Sequence, residues 1–266
     1  MSDQNQYGEE RVIRLCHVTV AEPDIHDPSS DARRLVNAVE SETGLAGISV
    51  DLGVLKILQR TLRQGEWRVT VALNGARIVA LYAGKTSAIY GVAFDIGAGM
   101  IEAVLCDLNE GIDRARTRMV NPLVRFGADP VNRIASGMNR PSDLPAMRDA
   151  LRHALHQLCV DLAERAKITP NEIVDIVFVA DPVCHHLLMD LDPVELGAAP
   201  FTETVSEPIE FKAREIGIAI APDAYIYALP LIAHHVGSDL SAAAFSCAVA
   251  RSEEHTSELQ SRVDIS

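Results

Sequence analysis

The stretch from Ala88 to Asp107 constrains this chain more than any other. Two apolar runs of strand length flank a turn made of Gly97, Ala98 and Gly99, and Asp95 stands near the end of the first run. Val92, Phe94 and Ile96 alternate with smaller or polar residues, and Ile101, Ala103 and Leu105 do the same. That period of two predicts a β-hairpin. Glycine lets the backbone approach a ligand closely and adopt φ > 0, so N–H groups at such a turn can face a phosphate. An aspartate at its lip can hold a hydrated Mg²⁺ that the phosphates also bind. The same residues equally describe an ordinary hairpin, and only the rest of the chain separates the two readings.

At 266 residues the chain has room for one large domain or two modest ones, and 48% hydrophobic content gives it material for a core. A net charge of −13 argues against nucleic acid or an anionic membrane as partner. No apolar run is long enough to span a bilayer, and the first ten residues are polar and acidic, unlike a secretory signal. Cytoplasm is the expected location. Cys16, Cys106, Cys159, Cys184 and Cys247 are scattered without a C-x-x-C pair, which reads as reduced thiols rather than a disulfide framework or a zinc or iron–sulfur site.

Taken in order, residues 1–10 read as a disordered start. Residues 11–20 alternate as a strand, and Ser30 or Asp31 caps a helix carrying Leu35, Val36 and Val39 that ends near Gly44. A second helix spans about 52–62. Strands over 67–73 and 76–82 are joined by Asn74-Gly75, and the lone Trp67 is expected to anchor a core. Residues 11–86 thus make a small α+β domain. Beyond the central hairpin, 112–120 returns as a third strand and Asn121-Pro122 breaks it. A short helix over 129–138 has Pro130 in its first turn, and a long one runs from Asp143 to Lys167 with an apolar stripe from Leu144 to Ala166. Residues 173–180 read as a strand covered on both faces. A short helix then carries His185 and His186, which point to different sides and so do not readily share a metal. A buried strand over 218–229 and a small-residue helix over 237–250 complete the pattern. Three meandering strands followed by helix-linked strands predict a mixed α/β sheet with flanking helices over 88–250, the layout of one actin-like (ribonuclease H-like) lobe.

With Tyr-Gly-Val-Ala-Phe-Asp-Ile-Gly at 90–97, Asn121-Pro122, Phe-Gly-Ala-Asp at 126–129 and Arg133-Ile134, the chain resembles the reductive activators of corrinoid proteins. That is an ATP-dependent branch of the acetate/sugar kinase–Hsp70–actin superfamily. The resemblance continues through His-His-Leu at 185–187, residues 191–201, Leu-Pro-Leu at 229–231 and Val-Gly-Ser-Asp at 236–239. Residues 11–86, with Asp31, Arg34-Leu35 and the 67–71 strand, look like that family's linker domain, so the likeness covers about 11–250. It implies one-electron reduction of cobalt(II) to cobalt(I) on the corrinoid protein of a methyltransferase system, driven by ATP and Mg²⁺. It also implies a [2Fe–2S] domain in full-length relatives, and the sequence leaves open whether the protein pairs as a homodimer. Asp95 would position Mg²⁺, the backbone of Gly97, Ala98 and Gly99 would cradle phosphate, and Gly237 and Asp239 would join the nucleotide site.

The chain also departs from that pattern. Ala98 and Gly99 stand where the family usually has threonines, Asp181-Pro182-Val183 replaces Gly-Asn-Thr, and His234-His235 replaces Gly-Phe. No C-x₄-C-x₂-C run is present to ligate a cluster, and no second glycine loop follows. Residues 251–266 resemble the translation of a sequencing adapter and are expected to be non-native, which makes the chain a fragment ending before a second lobe. Two further readings stand beside the activator: a non-catalytic protein-binding relative that kept the fold, and a small-molecule kinase of the same superfamily.

Overall fold

A computed structural model describes residues 13–221, 223–232 and 236–246. The expectations for residues 1–10, for His234-His235, for 247–250 and for the 251–266 tail fall outside the described residues. The elements run β1 (Ile13–Thr19), α1 (Asp31–Thr43), β2 (Ser49–Val50), α2 (Leu52–Gln64), β3 (Arg68–Asn74), β4 (Arg77–Ala83), β5 (Tyr90–Ile96), β6 (Met100–Asp107) and β7 (Ile112–Val120). Then follow α3 (Pro130–Asn139), α4 (Asp143–Ala166), β8 (Ile173–Ala180), α5 (Pro182–Leu188), β9 (Ile209–Lys212), β10 (Tyr225–Ala228) and α6 (Ser238–Ser246).

The first sheet has the order β1-β3-β4-β2, with one parallel pair, and buries Leu35, Val39, Leu58 and Leu62 of α1 and α2 on one face. Local signals set these helices. Ser30 Oγ accepts from Arg33 N at 3.2 Å and Gly44 leaves α1 at φ 70°, a start and a stop worth about 1 kcal/mol each. The β3–β4 turn differs from expectation by one residue. Asn74 closes the ladder opposite Arg77, and Gly75-Ala76 form the loop with φ +56° at its first position, as a type II′ turn requires. Trp67 packs against the edge of this core. It lies before β3 with φ 62°, half-buried, with the Arg63 guanidinium 5.4 Å from its ring.

The second sheet has the order β7-β6-β5-β8-β10-β9, with β5, β8 and β10 parallel and the remaining pairs antiparallel. Helix α4 fills the groove on one face. Met147, Leu151, Leu155, Leu158 and Leu162 are all buried there against Phe94, Ile96, Ile101 and Leu105. β8 is covered on both faces, though unequally. Its residues alternate between buried and half-buried, with Asp175, Val177 and Val179 on the more open face where α6 crosses. The expected strand over 218–229 contracts to Tyr225–Ala228, because the chain turns ahead of β10, with Ala224 N donating to Ala221 O at 2.9 Å. β2 and β9 carry too few residues to show a period.

The two sheets are tied by charge. Asp51 precedes α2 yet leaves that helix uncapped, because its carboxylate takes Lys212 Nζ at 2.5 Å and the Tyr225 hydroxyl at 3.4 Å. Asp223 lies against the first turn of α2, where a Cβ on Gly53 would fall 1.3 Å from its Oδ2. Arg77 of β4 donates to the Tyr225 hydroxyl at 2.7 Å. Among the described residues no helix is long and apolar enough to cross a membrane.

Candidate functional site

β5 and β6 pair from Tyr90↔Asp107 to Ile96↔Ile101, so the Gly97–Gly99 turn is the tip of a hairpin, as its alternation predicted. Asp95 faces Glu102 across the ladder, on the sheet face away from α4. β5 lies beside β8 with Ile96 opposite Ala180, so the loops after both strands emerge at one end of the sheet. That parallel pairing brings the distant segment 236–239 into range. Ser238 Oγ accepts from Ala180 N at 2.9 Å, which pins the first turn of α6 to the end of β8. Gly237 is required there, since a Cβ would stand 2.6 Å from Ala180 O and 2.7 Å from Asp239 Oδ1.

Asp239 thereby approaches Asp95. The Asp95 carboxyl is held above the usual aspartate range, first by partial burial and then by the negative charges of Glu102 and Asp239. Like charges brought together in this way favour a bound cation or a proton. Among the described residues no three His, Cys, Asp or Glu side chains converge tightly enough to hold a metal ion directly. A water-mediated hold by Asp95 needs no such cluster. A cavity of about 280 Å³, lined by Asp95, Glu102, Val104, Val177, Val179 and Leu229, opens on this face. A larger cavity of about 590 Å³ lies on the first sheet along His17, Gly65 and Lys85, away from these carboxylates.

The loop carbonyls are held from behind. Asn121 Nδ2 donates to Gly97 O at 2.8 Å, Asn121 N donates to Gly99 O at 2.9 Å, and Arg133 Nη2 donates to Ala98 O at 2.5 Å. Of the residues singled out by sequence, Asp95, Gly97, Ala98, Gly99, Gly237 and Asp239 all gather at this end of the sheet. Asn121, Arg133, Glu102 and Ser238 were given no role by sequence reasoning. The Asn121-Pro122 break was visible as the end of a strand, but nothing local says that the Asn121 side chain reaches back 24 residues.

The paired histidines serve the core. His186 Nε2 accepts from Thr204 N at 3.0 Å, so its Nδ1–H donates to Pro182 O at 2.8 Å, which fixes the tautomer. His185 packs on Phe178 with ring centroids 5.7 Å apart, and burial together with His186 drives its pKa down to about 4.

Comparison with known proteins identifies the family and the fold. Residues 90–252 match the family profile described as the RACo middle region, and residues 4–88 match the RACo linker region. The corrinoid activation enzyme RamQ of Eubacterium limosum is 29% identical over 195 residues, covering 72% of this chain and 33% of the relative. A solved reductive activator for a corrinoid, iron–sulfur protein superposes with a TM-score of 0.83 at 22% identity, over 94% of this chain and 40% of that one. The chain therefore spans about a third of the curated relative's length. At that identity the solved structure establishes the fold, a mixed α/β arrangement of the actin-like class, as the element order predicted.

Proposed function

The chain belongs to the family of the RACo linker and middle regions, and on that premise we propose that it takes part in ATP-dependent reductive activation of a corrinoid protein. The substrate would be the cobalt(II) corrinoid of a methyltransferase system. A low-potential one-electron donor, such as the [2Fe–2S] domain implied for full-length relatives, would supply the electron that gives cobalt(I). The observation that carries the reading is the meeting of two segments far apart in sequence, 95–99 and 237–239, at one end of the sheet.

The residues present fit a nucleotide phosphate with its metal. Among the described residues nothing fills the space beside Gly99, and three carboxylates concentrate negative charge beside the loop. Asp95 would hold Mg²⁺ through water, and the backbone of Gly97, Ala98 and Gly99 would receive phosphate oxygens. Gly237 allows the close passage of this segment along Ala180, near enough for the charge of Asp239 to act on Asp95. When bound, Mg²⁺ supplies charge neutralisation between phosphates.

A second reading, a non-catalytic protein-binding relative, is favoured by one feature. The loop offers no hydroxyl at 98 or 99, and the adjoining cavity of about 280 Å³ encloses only part of a nucleotide. Calorimetric titration with ATP, with and without Mg²⁺, separates the two. The activator reading expects Mg²⁺-dependent binding that Asp95→Asn weakens roughly tenfold. Absence of any Mg²⁺-dependent ATP binding would favour the binding module.

A further inference from the structure

Arg133 is fully buried, and every arm of its guanidinium is engaged. Nη2 donates to Ala98 O at 2.5 Å, Nε donates to Gly127 O at 3.2 Å, and Nη1 donates to Cys184 Sγ at 3.2 Å. Nη1 also lies 3.6 Å from Asp181 Oδ2, while Asp181 Oδ1 caps α5 by accepting from Val183 N and Cys184 N. Burying a guanidinium carries a desolvation cost of several kcal/mol, and an apolar side chain of similar volume would serve packing at least as well. What an apolar side chain cannot do is hold a carbonyl in place. A lysine at the same position would present one point charge, not a planar fork able to reach several acceptors at once.

The carbonyl contacts decide where the loop's donors point. The peptides of the loop are trans. In a planar trans peptide the carbonyl of one residue and the N–H of the next point in opposite directions. Gly97 O is held by Asn121 Nδ2, so the Ala98 N–H points away from the packed body. Ala98 O is held by Arg133, so the Gly99 N–H does too. Gly99 O is fixed by Asn121 N, which stops the next peptide from turning over. Among the described residues, a Cβ on Gly99 would meet no heavy atom within 4 Å.

We propose that Asn121 and Arg133 are positioning residues that clamp this loop by its carbonyls and so preset the N–H groups of Ala98 and Gly99 to receive phosphate oxygens. The inference rests on the nucleotide reading above and deepens it. A cradle preset through the main chain needs no side-chain hydroxyl, which accounts for a working loop with Ala98 and Gly99 where the family usually has threonines.

Two measurements on the full 266-residue chain test it. Residue-resolved amide exchange without ligand is expected to show fast exchange at Ala98 and Gly99 between the protected strands β5 and β6. Slow exchange at both overturns the clamp, whether or not nucleotide binds. Titration with Mg·ATP is then compared among the unaltered protein, Asn121→Ser and Arg133→Lys. The serine keeps an oxygen to cap Leu123 N but lacks the separate amide arm that reaches Gly97 O. The lysine keeps a positive charge opposite Asp181 but loses the multi-point reach. Both are expected to bind Mg·ATP roughly tenfold or more weakly, with Asn121→Ser melting near the unaltered protein. If Arg133→Lys does not fold, Asn121→Ser decides alone. If the unaltered protein binds Mg·ATP and Asn121→Ser binds it equally well, the clamp falls and the nucleotide reading stands. If the unaltered protein binds no Mg·ATP, the nucleotide reading falls and the clamp's role falls with it.

Discussion

Replacing Asp175 by asparagine should stabilise this protein at neutral and alkaline pH and leave it unchanged in acid. Asp175 lies on β8 between Gly91 of β5 and Tyr225 of β10. Burial, followed by the negative charge of Glu210, raises its pKa from 3.8 to about 7. Between those two values the folded protein keeps a proton that the unfolded chain has lost. Stability is therefore full below pH 3.8 and falls as pH rises through about 7, at about 1.4 kcal/mol per pH unit and about 4 kcal/mol in all. Asparagine resembles the protonated acid in shape and hydrogen bonding but does not titrate. Urea unfolding of both proteins from pH 4 to pH 8.5 should give coincident curves at the acid end. At the alkaline end Asp175→Asn should gain up to about 4 kcal/mol, or roughly 10 °C in Tm for a chain of this size. A stability difference that does not change with pH would refute the assignment of that proton to Asp175.

His185 should produce the opposite slope. Its depressed pKa means that the unfolded chain takes up a proton below 6.5 that the folded protein refuses until about 4, so about 3 kcal/mol of stability is lost as pH falls through that window. His185→Phe, which keeps the contact with Phe178, should abolish that loss in acid unfolding curves. Between pH 4 and 6.5 the Asp175 and His185 contributions have opposite signs, so Asp175→Asn and His185→Phe should tilt the stability profile in opposite directions. Gly237→Ala should lift the first turn of α6 off β8, since the obstructing Ala180 carbonyl is backbone and cannot swing aside. The readouts are a lower Tm and faster exchange of the Ala180 amide, which loses its acceptor in Ser238 Oγ.

Local chemistry wrote most of the elements into the sequence. The period-two alternation over Val92–Ile96 and Ile101–Leu105 fixed the hairpin, Ser30 and Gly44 bounded α1, and the stripe from Met147 to Leu162 fixed the buried face of α4. Where local signals were read too literally, tertiary geometry overruled them. The apolar residues of 218–221 pack in a turn rather than a strand because the chain must reverse from β9 into β10.

The site divides the same way. Asp95 and the Gly97–Gly99 loop were legible because a strand, an acid and glycines are adjacent in the chain, and the resemblance added Gly237 and Asp239. The parallel pairing of β5 with β8 decided that Asp239 stands beside Asp95, since strand order is a long-range choice with no local signature. Asn121 and Arg133 were the least legible. Their roles depend on which carbonyl each donor meets, 24 and 35 residues away in sequence. The sequence by itself therefore determined the pieces: strands, helices and a loop able to take a phosphate. Only the tertiary structure decided which way that loop faces, because a peptide's orientation is set by whatever holds its carbonyl.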